Sequence, residues 1–513
     1  MKTYEEMLEE LLSNPELLKK KQPFTRGEDR SNEYGEDKTV GIGVSIDAVT
    51  PSSKRRIVSQ GTYLRELDPA CHDVLFDENI PSLCVKLNDG GFRDIKFTRM
   101  ALPIQKIIKN KQLLHLTGNP MQFTLLDTNP TEKMHKNFTL FKQYWDLRNQ
   151  DGMKNKMVET QLSVGDAGLL FYFDRHKQIK SRIISYRDGY VLCPHNDENG
   201  DRLVESIYYK VDNVEYIDSY DDRNMTRWTR GIDSVSGEDT GWVREAPIPH
   251  GFDEIPLITK RGEVAWEGVQ TTIESFEILY NIFNAIQRRH GWGMLYIKGK
   301  FKQQAEKING SVILNDTNSE SKGDAKYLTP PSPQGTIDTL SHMLDMIQLG
   351  SSTTFILPKD LKTGGDLAGI TVQLVQSLDI QNALQKVISW QNVADKMGRL
   401  FKFGLAKELA STGENPYAVT EFKELRIGCK FKVWRPMNEN EFNNMVATMK
   451  GSGIISKETA VELNTLSKPD EKQRIIREEE ESAMKESLAE ETPNNITTQK
   501  DDPETTPTVQ AKV

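Results

Sequence analysis

Residues 266–290 read WEGVQTTIESFEILYNIFNAIQRRH, and their apolar side chains recur at intervals of three and four. This spacing predicts one helix with a single apolar seam of the coiled-coil type. The basic group Arg288, Arg289 and His290 suits the negative end of a helix dipole and indicates where the helix ends. At about 1.5 Å per residue, the helix is about 36 Å long. The seam consists of Trp266, Val269, Ile273, Phe276, Tyr280 and Phe283.

Residues 291–335 predict a compact β-containing unit between two helices. They contain the strand-like segments MLYIKGK and GSVIL and end in the stretch PPSPQG. A second helix is predicted from Thr336, because threonine is a favoured residue type at the N-cap. The order is therefore a helix leading out, a small unit and a helix leading back. The apolar face of the second helix consists of Ile337, Leu340, Leu344 and Ile347.

The segment KDLKTGGDLAG, residues 359–369, predicts a flexible charged loop, and residues 370–409 after it contain no proline. A continuous helix over 370–409 is about 60 Å long. That length is unusual, because helices in globular proteins average three to four turns. Gly398 and Gly404 are the positions at which such a helix is expected to bend or end.

The remaining chain predicts an α+β protein with several domains. Helices are expected over residues 3–20, where Pro15 introduces a break, and over 137–162. A β-rich block begins with the buried strand GLLFYF at 168–173, and Asn199-Gly200 indicates a hairpin. The other expected segments are strands over 417–434, helices over 439–450 and 456–465 with Ser456 as an N-cap, a charged helix from Pro469 to about Leu488, and a disordered tail over 489–513.

Composition narrows the class of protein. The chain has 513 residues, 37 % of them hydrophobic and 27 % charged. The start MKTYEEMLEELL is acidic and lacks the order of a signal peptide, which predicts residence in the cytosol where the protein is made. No apolar run approaches the roughly 20 residues that span a bilayer. The four cysteines do not have zinc-site spacing and are expected to be reduced thiols.

The net charge is −9, and residues 469–513 carry 12 acidic and 6 basic side chains, so the rest of the chain is nearly balanced. A protein that clamps DNA tightly is expected to carry a basic excess. Any DNA partner of this chain is therefore expected to be touched loosely or in passing.

No motif predicts a catalytic site, a cofactor or a metal. VGIGVS at 40–45 lacks the third glycine and the βαβ context of a dinucleotide site, and TGGDLAG at 363–369 lacks the GK[ST] of a P-loop. The acidic stretches 196–201 and 218–222 do not have EF-hand spacing, and hairpin turns explain both more simply.

Several motifs, in this order, resemble the portal proteins of tailed double-stranded DNA bacteriophages, of the siphophage type. HGFDEIPLI at 250–258 resembles the strand before the first stem helix of that family. FKVWRPMN at 431–438, GIISKET at 453–459 and PDEK at 469–472 resemble its closing strand and crown. The matches together cover roughly residues 137–485.

The resemblance implies a portal fold with the following regions: an N-terminal helix and arm (1–40), a wing (41–262, β-rich from 165), a stem helix (263–290), a clip (291–335), a returning stem helix (336–352), a tunnel loop (353–369), a long wing helix with strands (370–436), a crown (437–488) and the disordered tail (489–513).

The resemblance also implies a function without catalysis. Such a protein forms a dodecameric ring at the capsid vertex, is assembled in the host cytoplasm and passes DNA during packaging and ejection. Its expected partners are the terminase large subunit, head–tail adaptor proteins, and the major capsid and scaffolding proteins, with no membrane. The motor- and adaptor-docking residues are expected within 291–335. The tunnel loop residues expected to contact DNA are Lys359, Lys362, Thr363, Gly364 and Gly365.

Three alternatives remain at this point. Lys359 and Lys362 could lie in an ordinary solvated loop. A metal-dependent DNA-processing enzyme could use the acidic residues Asp218, Asp221 and Asp222. A structural virion protein other than a portal, such as an adaptor, predicts no long helix at 370–409.

Overall fold

The computed structural model divides the chain into two compact units, residues 1–365 with 374–435, and residues 366–373 with 436–513. Each unit is described by itself. The described residues are 3–20, 39–40, 44–45, 59–76, 83–86, 92–95, 99–290 except 198, 213 and 232–240, 294–298, 306–308, 311–313, 324–328, 334–355, 375–435, 439–463, and 474–482 except 476 and 479.

Helices form much of the first unit. Those among its described residues are α1 (Tyr4–Ser13), α2 (Pro15–Lys19), α3 (Gln60–Leu67), α4 (Ile104–Thr117), α5 (Glu132–Leu147), α6 (Gln150–Val164), α7 (Gln270–His290), α8 (Gln334–Ser351), α9 (Ser377–Thr412) and α10 (Ala418–Glu424), with 3-10 turns at Pro69–Cys71, Asp73–Leu75 and Tyr186–Asp188.

The strands are short, and every described pair is antiparallel. They are β1 (Thr39–Val40), β2 (Val44–Ser45), β3 (Leu83–Lys86), β4 (Phe92–Ile95), β5 (Gln122–Leu125), β6 (Asp166–Phe173), β7 (Ile179–Ile184), β8 (Tyr190–Asn196), β9 (Arg202–Val211), β10 (Val214–Tyr220), β11 (Asn224–Arg230), β12 (Val243–Arg244), β13 (Ile248–Pro249), β14 (Leu257–Arg261), β15 (Met294–Lys298), β16 (Glu306–Ile308), β17 (Ser311–Ile313), β18 (Asp324–Leu328) and β19 (Ile427–Lys430).

The β-rich block over 166–261 confirms the predicted α+β class. One sheet has the order β12-β11-β10-β9-β8 with β13 beside β11, and a second has the order β14-β6-β7. The predicted hairpin joins β8 to β9, where Asp197 Oδ1 accepts the backbone amides of Asn199 and Asp201 at 2.9 and 2.8 Å. That carboxylate serves a turn, as expected for this acidic stretch.

Residue 14 joins the first two helices, where Pro15 was expected to introduce a break. Asn14 is the C-cap of α1, and its side-chain oxygen also accepts the Glu16 amide of α2 at 3.1 Å. Pro15 occupies the first position of α2, where a missing N–H costs nothing. Leu12 and Leu18 are buried against Val204, Ile217 and Trp228 of the larger sheet.

The single helix predicted over 137–162 is wrong, because α5 and α6 are separate. Asn149 has a φ of 49°, in the left-handed region, and its side chain caps α6 by accepting the Gly152 amide at 3.2 Å. Asparagine tolerates this backbone better than most residues. The Arg148-Asn149 break therefore turns the chain between two helices that share one core.

The helix–strands–helix order after Val264 is confirmed as secondary structure. The α7 helix begins at Gln270, and the seam residues Trp266, Val269 and Ile273 are buried. Strands β15 to β18 form two antiparallel pairs, β15 with β18 and β16 with β17. The expected N-cap at Thr336 is wrong, because α8 already begins at Gln334 and Thr336 lies inside it. Of the residues expected to share one apolar face, Leu340 and Ile347 are buried and Ile337 is 43 % exposed.

The long helix is present as α9, a continuous helix of 36 residues. It ends neither at Gly398 nor at Gly404, contrary to that part of the expectation. These glycines instead allow close packing, because a Cβ at Gly398 would overlap Cys429 Sγ and a Cβ at Gly404 would overlap Cδ1 of Ile179. The first residues of the predicted helix, 370–374, lie outside the described residues.

The first part of the strands predicted over 417–434 is wrong, because residues 418–424 form α10. Ala418, Phe422 and Leu425 are buried at a spacing of four and three, which is a helical period. Only Ile427–Lys430 of this region forms a strand, and its partner is the distant β5.

Aromatic side chains from α5, α9 and β5 meet at the centre of the first unit. The ring centroids of Trp145 and Phe401 are 5.2 Å apart, and Phe123 lies 4.9 Å from Trp145, both in edge-to-face geometry. Such pairs add stability beyond the burial of their area. They fix the C-terminal half of α9 in the core.

The second unit contains α11 (Glu439–Gly451) and α12 (Lys457–Leu463). Ser456 caps α12 as predicted, since its Oγ accepts the Thr459 amide at 3.1 Å. The expected helix start at Pro469 and the tail over 489–513 lie outside the described residues.

Candidate functional site: the base of the loop before the long helix

The five predicted DNA-contacting residues, Lys359, Lys362, Thr363, Gly364 and Gly365, lie outside the described residues, between Phe355 and Val375. Their role stays a prediction. The structure does describe both ends of this segment and the side chains that hold the first of them. We call residues 351–355, with their partners on α4 and α9, the loop base.

The loop base begins where α8 ends. Ser352 has a φ of 48°, in the left-handed region. The Thr353 amide bonds the Gln348 carbonyl at 3.0 Å, and the Ser352 amide bonds the Leu349 carbonyl at 3.2 Å. This pair of bonds is the Schellman arrangement that terminates helices. It turns the chain sharply away from α8.

Thr354 is held from both sides of its backbone. Its amide donates to both carboxylate oxygens of Asp379, at 3.1 and 3.3 Å. Its carbonyl accepts from Lys111 Nζ on α4. The next amide, of Phe355, donates to Gln348 Oε1 at 2.6 Å. The entry to the loop is therefore attached to the first turn of α9, to α4 and to α8.

Gln112 of α4 also forms hydrogen bonds with the end of α8 and with α9. Its side-chain nitrogen lies 3.0 to 3.1 Å from the carbonyl oxygens of Ala265 and Ser351 and from Thr353 Oγ1. Its side-chain oxygen accepts from Lys386 Nζ on α9. Gln112, Ser351 and Thr353 are buried. Since buried polar groups are costly to leave unpaired, this arrangement fixes one geometry of the loop base.

The two lysines of the loop base, Lys111 and Lys386, have lowered pKa values. Burial lowers the pKa of Lys386 to about 8, against the opposing charge of Glu263. Burial also lowers the pKa of Lys111, and the charge of Asp379 opposes that shift. Their ammonium groups donate to protein oxygens. The ammonium groups of Lys111 and Lys386 therefore point to oxygen atoms of the protein, and that of Lys111 holds the backbone at Thr354.

The acidic residues of the nuclease alternative serve the larger sheet. Asp218 forms a two-point ion pair with Arg227, at 2.7 Å to Nε and 3.0 Å to a terminal nitrogen. Asp221 Oδ1 accepts the amides of Arg223 and Asn224 at 2.7 and 2.6 Å, which makes a turn. Asp222 accepts from the Tyr4 hydroxyl at 3.2 Å.

Tyr209 is a further partner of Asp218 within the larger sheet. Burial, together with the charge of Asp218, raises the pKa of Tyr209 to about 12. Within the part of the chain that the structure describes, no cluster of three or more His, Cys, Asp or Glu side chains could hold a metal ion.

A comparison with protein-family models shows to which family the chain belongs. A family model described as phage portal protein, SPP1 Gp6-like, matches residues 93–486. The chain belongs to this phage portal protein family. No curated protein matches the chain. The portal match includes the loop base and runs from strand β4 past the second unit's helices.

None of the helices in the described residues is long and apolar enough to cross a membrane. The presence of α9 also contradicts the adaptor alternative, which predicted no long helix. In the expected clip, the structure describes only the backbone of four strands, so the docking residues within 291–335 stay a prediction.

Sequence reasoning missed the residues that hold the loop base. Asp379 lies in the first turn of α9, where an acidic residue suits the positive end of the helix dipole, but the helix was predicted from residue 370, so the sequence did not mark Asp379 as a residue of the first turn. Nothing in the sequence links it to Thr354, which lies 25 residues earlier. Gln112 and Lys386 carry no signal at all, since a buried glutamine on an amphipathic helix is not distinguishable from an exposed one.

Proposed function

We propose that this chain assembles into the portal ring of a tailed double-stranded DNA phage, the channel through which DNA is packaged and ejected. The observation that carries the proposal is the family match over residues 93–486. Within that span lie, in order, α7, four short strands, α8, the loop base and α9. A ring follows from head-to-tail contacts between copies that close on rotation.

On this proposal, each element has a place in the ring. The helices α7 and α8 are the stem, residues 291–335 are the clip, residues 353–369 are the tunnel loop, and α9 is the long wing helix. The sheets over 166–261 belong to the wing, and residues 437–488 form the crown. Residues 263–269 precede α7 as the turn that starts the stem.

The charge of the chain suits a conduit. Each fixed phosphate contact adds affinity through counterion release, so a strongly basic channel would hold DNA in place. Outside residues 469–513 the chain is nearly balanced, and the lysines of the loop base face protein oxygens. Contact with moving DNA is therefore assigned to Lys359, Lys362, Thr363, Gly364 and Gly365 on the loop itself.

The partners follow from the same proposal. The clip docks the terminase large subunit during packaging and the head–tail adaptors afterwards, while the rest of the ring meets the major capsid and scaffolding proteins. The site of action is the capsid vertex, after assembly in the host cytoplasm. The protein has no catalytic role, and the energy for translocation comes from the motor.

Electron microscopy of the purified full chain tests the proposal. We expect closed rings with a central channel, with twelve subunits by resemblance to the family. The protein should be imaged over a range of salt and protein concentrations. A folded monomer under all of these conditions would contradict the proposal.

A cleavage assay separates this function from the nuclease alternative. We expect no magnesium-dependent cleavage of double-stranded DNA by the purified chain. Cleavage that disappears in the variants Asp218→Asn, Asp221→Asn or Asp222→Asn, while their circular dichroism stays unchanged, would overturn the portal proposal.

A further inference from the structure

Residues 59–76 lie against the first turns of α7 and are joined to it by buried polar contacts. We call this segment the clasp. It contains α3 and two 3-10 turns. It precedes the residues matched by the portal family. The residues that it contacts, Trp266, Glu267 and Glu277, lie inside the matched span.

Both nitrogens of the His72 ring face hydrogen-bond acceptors. Nδ1 lies 2.8 Å from Glu277 Oε1 and 3.1 Å from Oε2. Nε2 lies 2.8 Å from the carbonyl oxygen of Glu66. A neutral imidazole carries hydrogen on one nitrogen only. With Glu277 ionised, both contacts are therefore satisfied together only when His72 is an imidazolium cation.

Glu277 is the matching group on α7. His72 and Glu277 are 6 % and 2 % exposed, so the pair is removed from solvent. The same carboxylate also accepts the Leu102 amide at 2.6 Å. One turn further along α7, Asn281 accepts the Met100 amide at 2.8 Å and donates to the Met100 carbonyl at 2.7 Å. Glu277 thus joins the clasp and the segment before α4 to one helix.

Two further contacts hold the clasp near the start of α7. Trp266 Nε1 donates to Glu66 Oε2 at 2.7 Å. The Tyr63 hydroxyl donates to Glu267 Oε2 at 2.9 Å. Neither of these two contacts involves the His72 ring. Of the four clasp contacts named here, those of His72 depend on its charge.

A cavity of about 280 Å³ is lined in part by His72 and Glu277. The charged and titratable groups around it come from each packed element. From α7 they are Glu274 and Glu277, from α3 they are Arg65 and Glu66, and from the 3-10 turns and the residue before them they are Asp68, Cys71 and Asp73. Carboxylates outnumber the single arginine, and Arg65 is itself paired with Asp73 at 3.3 Å.

We propose that His72 and Glu277 form a pH-sensitive switch, in which protonated His72 holds the clasp on α7 and loss of its proton releases the clasp. Deprotonation removes the ion pair and one of the two hydrogen bonds of the ring, and it leaves Glu277 buried with the Leu102 amide as its remaining partner among those named. The release is local, because Trp266 and the rest of the α7 seam stay in the core of the first unit.

The direction of the pH effect follows from the surroundings. Burial by itself lowers the pKa of His72, but the hydrogen bond and charge of Glu277 and the carbonyl of Glu66 outweigh it, so the pKa is raised. A raised pKa in the folded state means that the stabilisation is fully present below the unfolded value of about 6.5. It is lost as the pH rises through the folded value, so the clasp opens on the alkaline side.

Amide hydrogen exchange of the full chain tests the switch. Mass spectrometry follows the exchange at pH 6 and pH 9, and the rates are corrected for the intrinsic exchange rates at each pH. We expect peptides from residues 60–75 to lose about tenfold to a hundredfold of their protection at pH 9, the range for a hydrogen bond to a charged group. Peptides from residues 397–405 of α9 should keep theirs. Equal protection at both pH values would overturn the proposal.

Two variants separate the switch from a general loss of stability. His72→Gln keeps a hydrogen-bond donor without the charge, and we expect low clasp protection at pH 6 with no further step to pH 9. His135→Gln, on the exposed face of α5, should behave as the wild type. A pH step of wild-type size in His72→Gln would refute the role of His72. If His72→Gln does not fold, the NMR titration of His72 in the wild type decides, and a midpoint at or below 6.5 would sink the idea.

Discussion

Asp379, in the first turn of α9, accepts the backbone amide of Thr354 with both of its carboxylate oxygens, at 3.1 and 3.3 Å. Thr354 lies at the start of the segment expected to form the tunnel loop, residues 353–369, and Asp379 follows that segment in the sequence. The side chain is 4 % exposed, so water does not replace its bonds. The start of the loop is consequently tied to the helix that follows the loop, and several consequences can be tested.

Replacing Asp379 should loosen the loop base. We expect Asp379→Ala to lower the free energy of unfolding by about 1–3 kcal/mol, because a buried amide loses its acceptors. Asp379→Asn keeps one acceptor and should lose less. Urea denaturation measures the stability, and limited proteolysis between residues 354 and 376 measures the loosening. Asp338→Ala, at an exposed position of α8, is the control, and equal behaviour of the two alanine variants would contradict the role of Asp379.

Ser352 should respond to substitution according to its left-handed backbone. Ser352→Gly is expected to raise the free energy of unfolding by up to about 1 kcal/mol, since glycine adopts φ of 48° without strain. Ser352→Val should lower it by about 1–2 kcal/mol, because a β-branched side chain is disfavoured there. Thermal denaturation of the three proteins gives the order. A valine variant as stable as the glycine variant would show that Ser352 is not strained.

Gly404 should not tolerate a methyl group. Alanine gains about 1 kcal/mol in helix propensity, but its Cβ would overlap Cδ1 of Ile179 and lie 2.9 Å from Cγ1. Overpacking of this kind costs about 1–3 kcal/mol, so we expect Gly404→Ala to destabilise the protein. Ile179→Val removes Cδ1 and should reduce the cost of Gly404→Ala in a double-mutant cycle. Gly335→Ala, where a Cβ has open space, is the control and should stabilise.

Lys386 should make stability depend on alkaline pH. Its pKa is lowered to about 8 in the folded protein, whereas an unfolded lysine has a pKa of about 10.4. Between these values the unfolded chain binds more protons, so the stability rises with pH. Relative to Lys386→Met, the wild type should gain about 2 kcal/mol from pH 7 to pH 10. A constant difference across this range would exclude the shift, and Lys156→Met controls for an exposed lysine.

Lys359 and Lys362 can be tested in the assembled ring. If they contact moving DNA, the variant with both lysines replaced by alanine should form rings of normal appearance and package less DNA in a terminase-driven assay. Replacing the exposed Lys136 and Lys156 by alanine makes the same change of charge elsewhere and should leave packaging unchanged. Normal packaging by the Lys359→Ala, Lys362→Ala variant would refute the contact.

Sequence periodicity predicted α7 and α9, because their burial is regular, although α7 begins at Gln270 and not at Trp266. The seam from Ile273 to Phe283 and the length of α9 were both visible as apolar residues at helical spacing. The hairpin at Asn199-Gly200 was also visible, because few residue pairs suit such a turn. These features depend on residues close together in the sequence.

The errors have a common physical origin in local backbone preferences and distant partners. The break at Asn149 depends on one left-handed residue inside an otherwise helical pattern. Residues 418–425 look strand-like by composition, yet Phe422 and Leu425 pack on α9 at helical spacing. The loop base was not predictable, because Thr354, Gln112 and Lys386 come together only after α4, α8 and α9 have packed.

The aromatic cluster around Phe401 makes α9 a lever. From that fixed point to Asp379 the helix measures about 33 Å, at 1.5 Å per residue. A tilt of only about 5° about Phe401 displaces Asp379 by about 3 Å over that length. Because the Thr354 amide donates to Asp379, Thr354 must move together with Asp379 or lose both hydrogen bonds. A small tilt in the core of the subunit therefore becomes a larger displacement at Asp379 and at the Thr354 amide bonded to it.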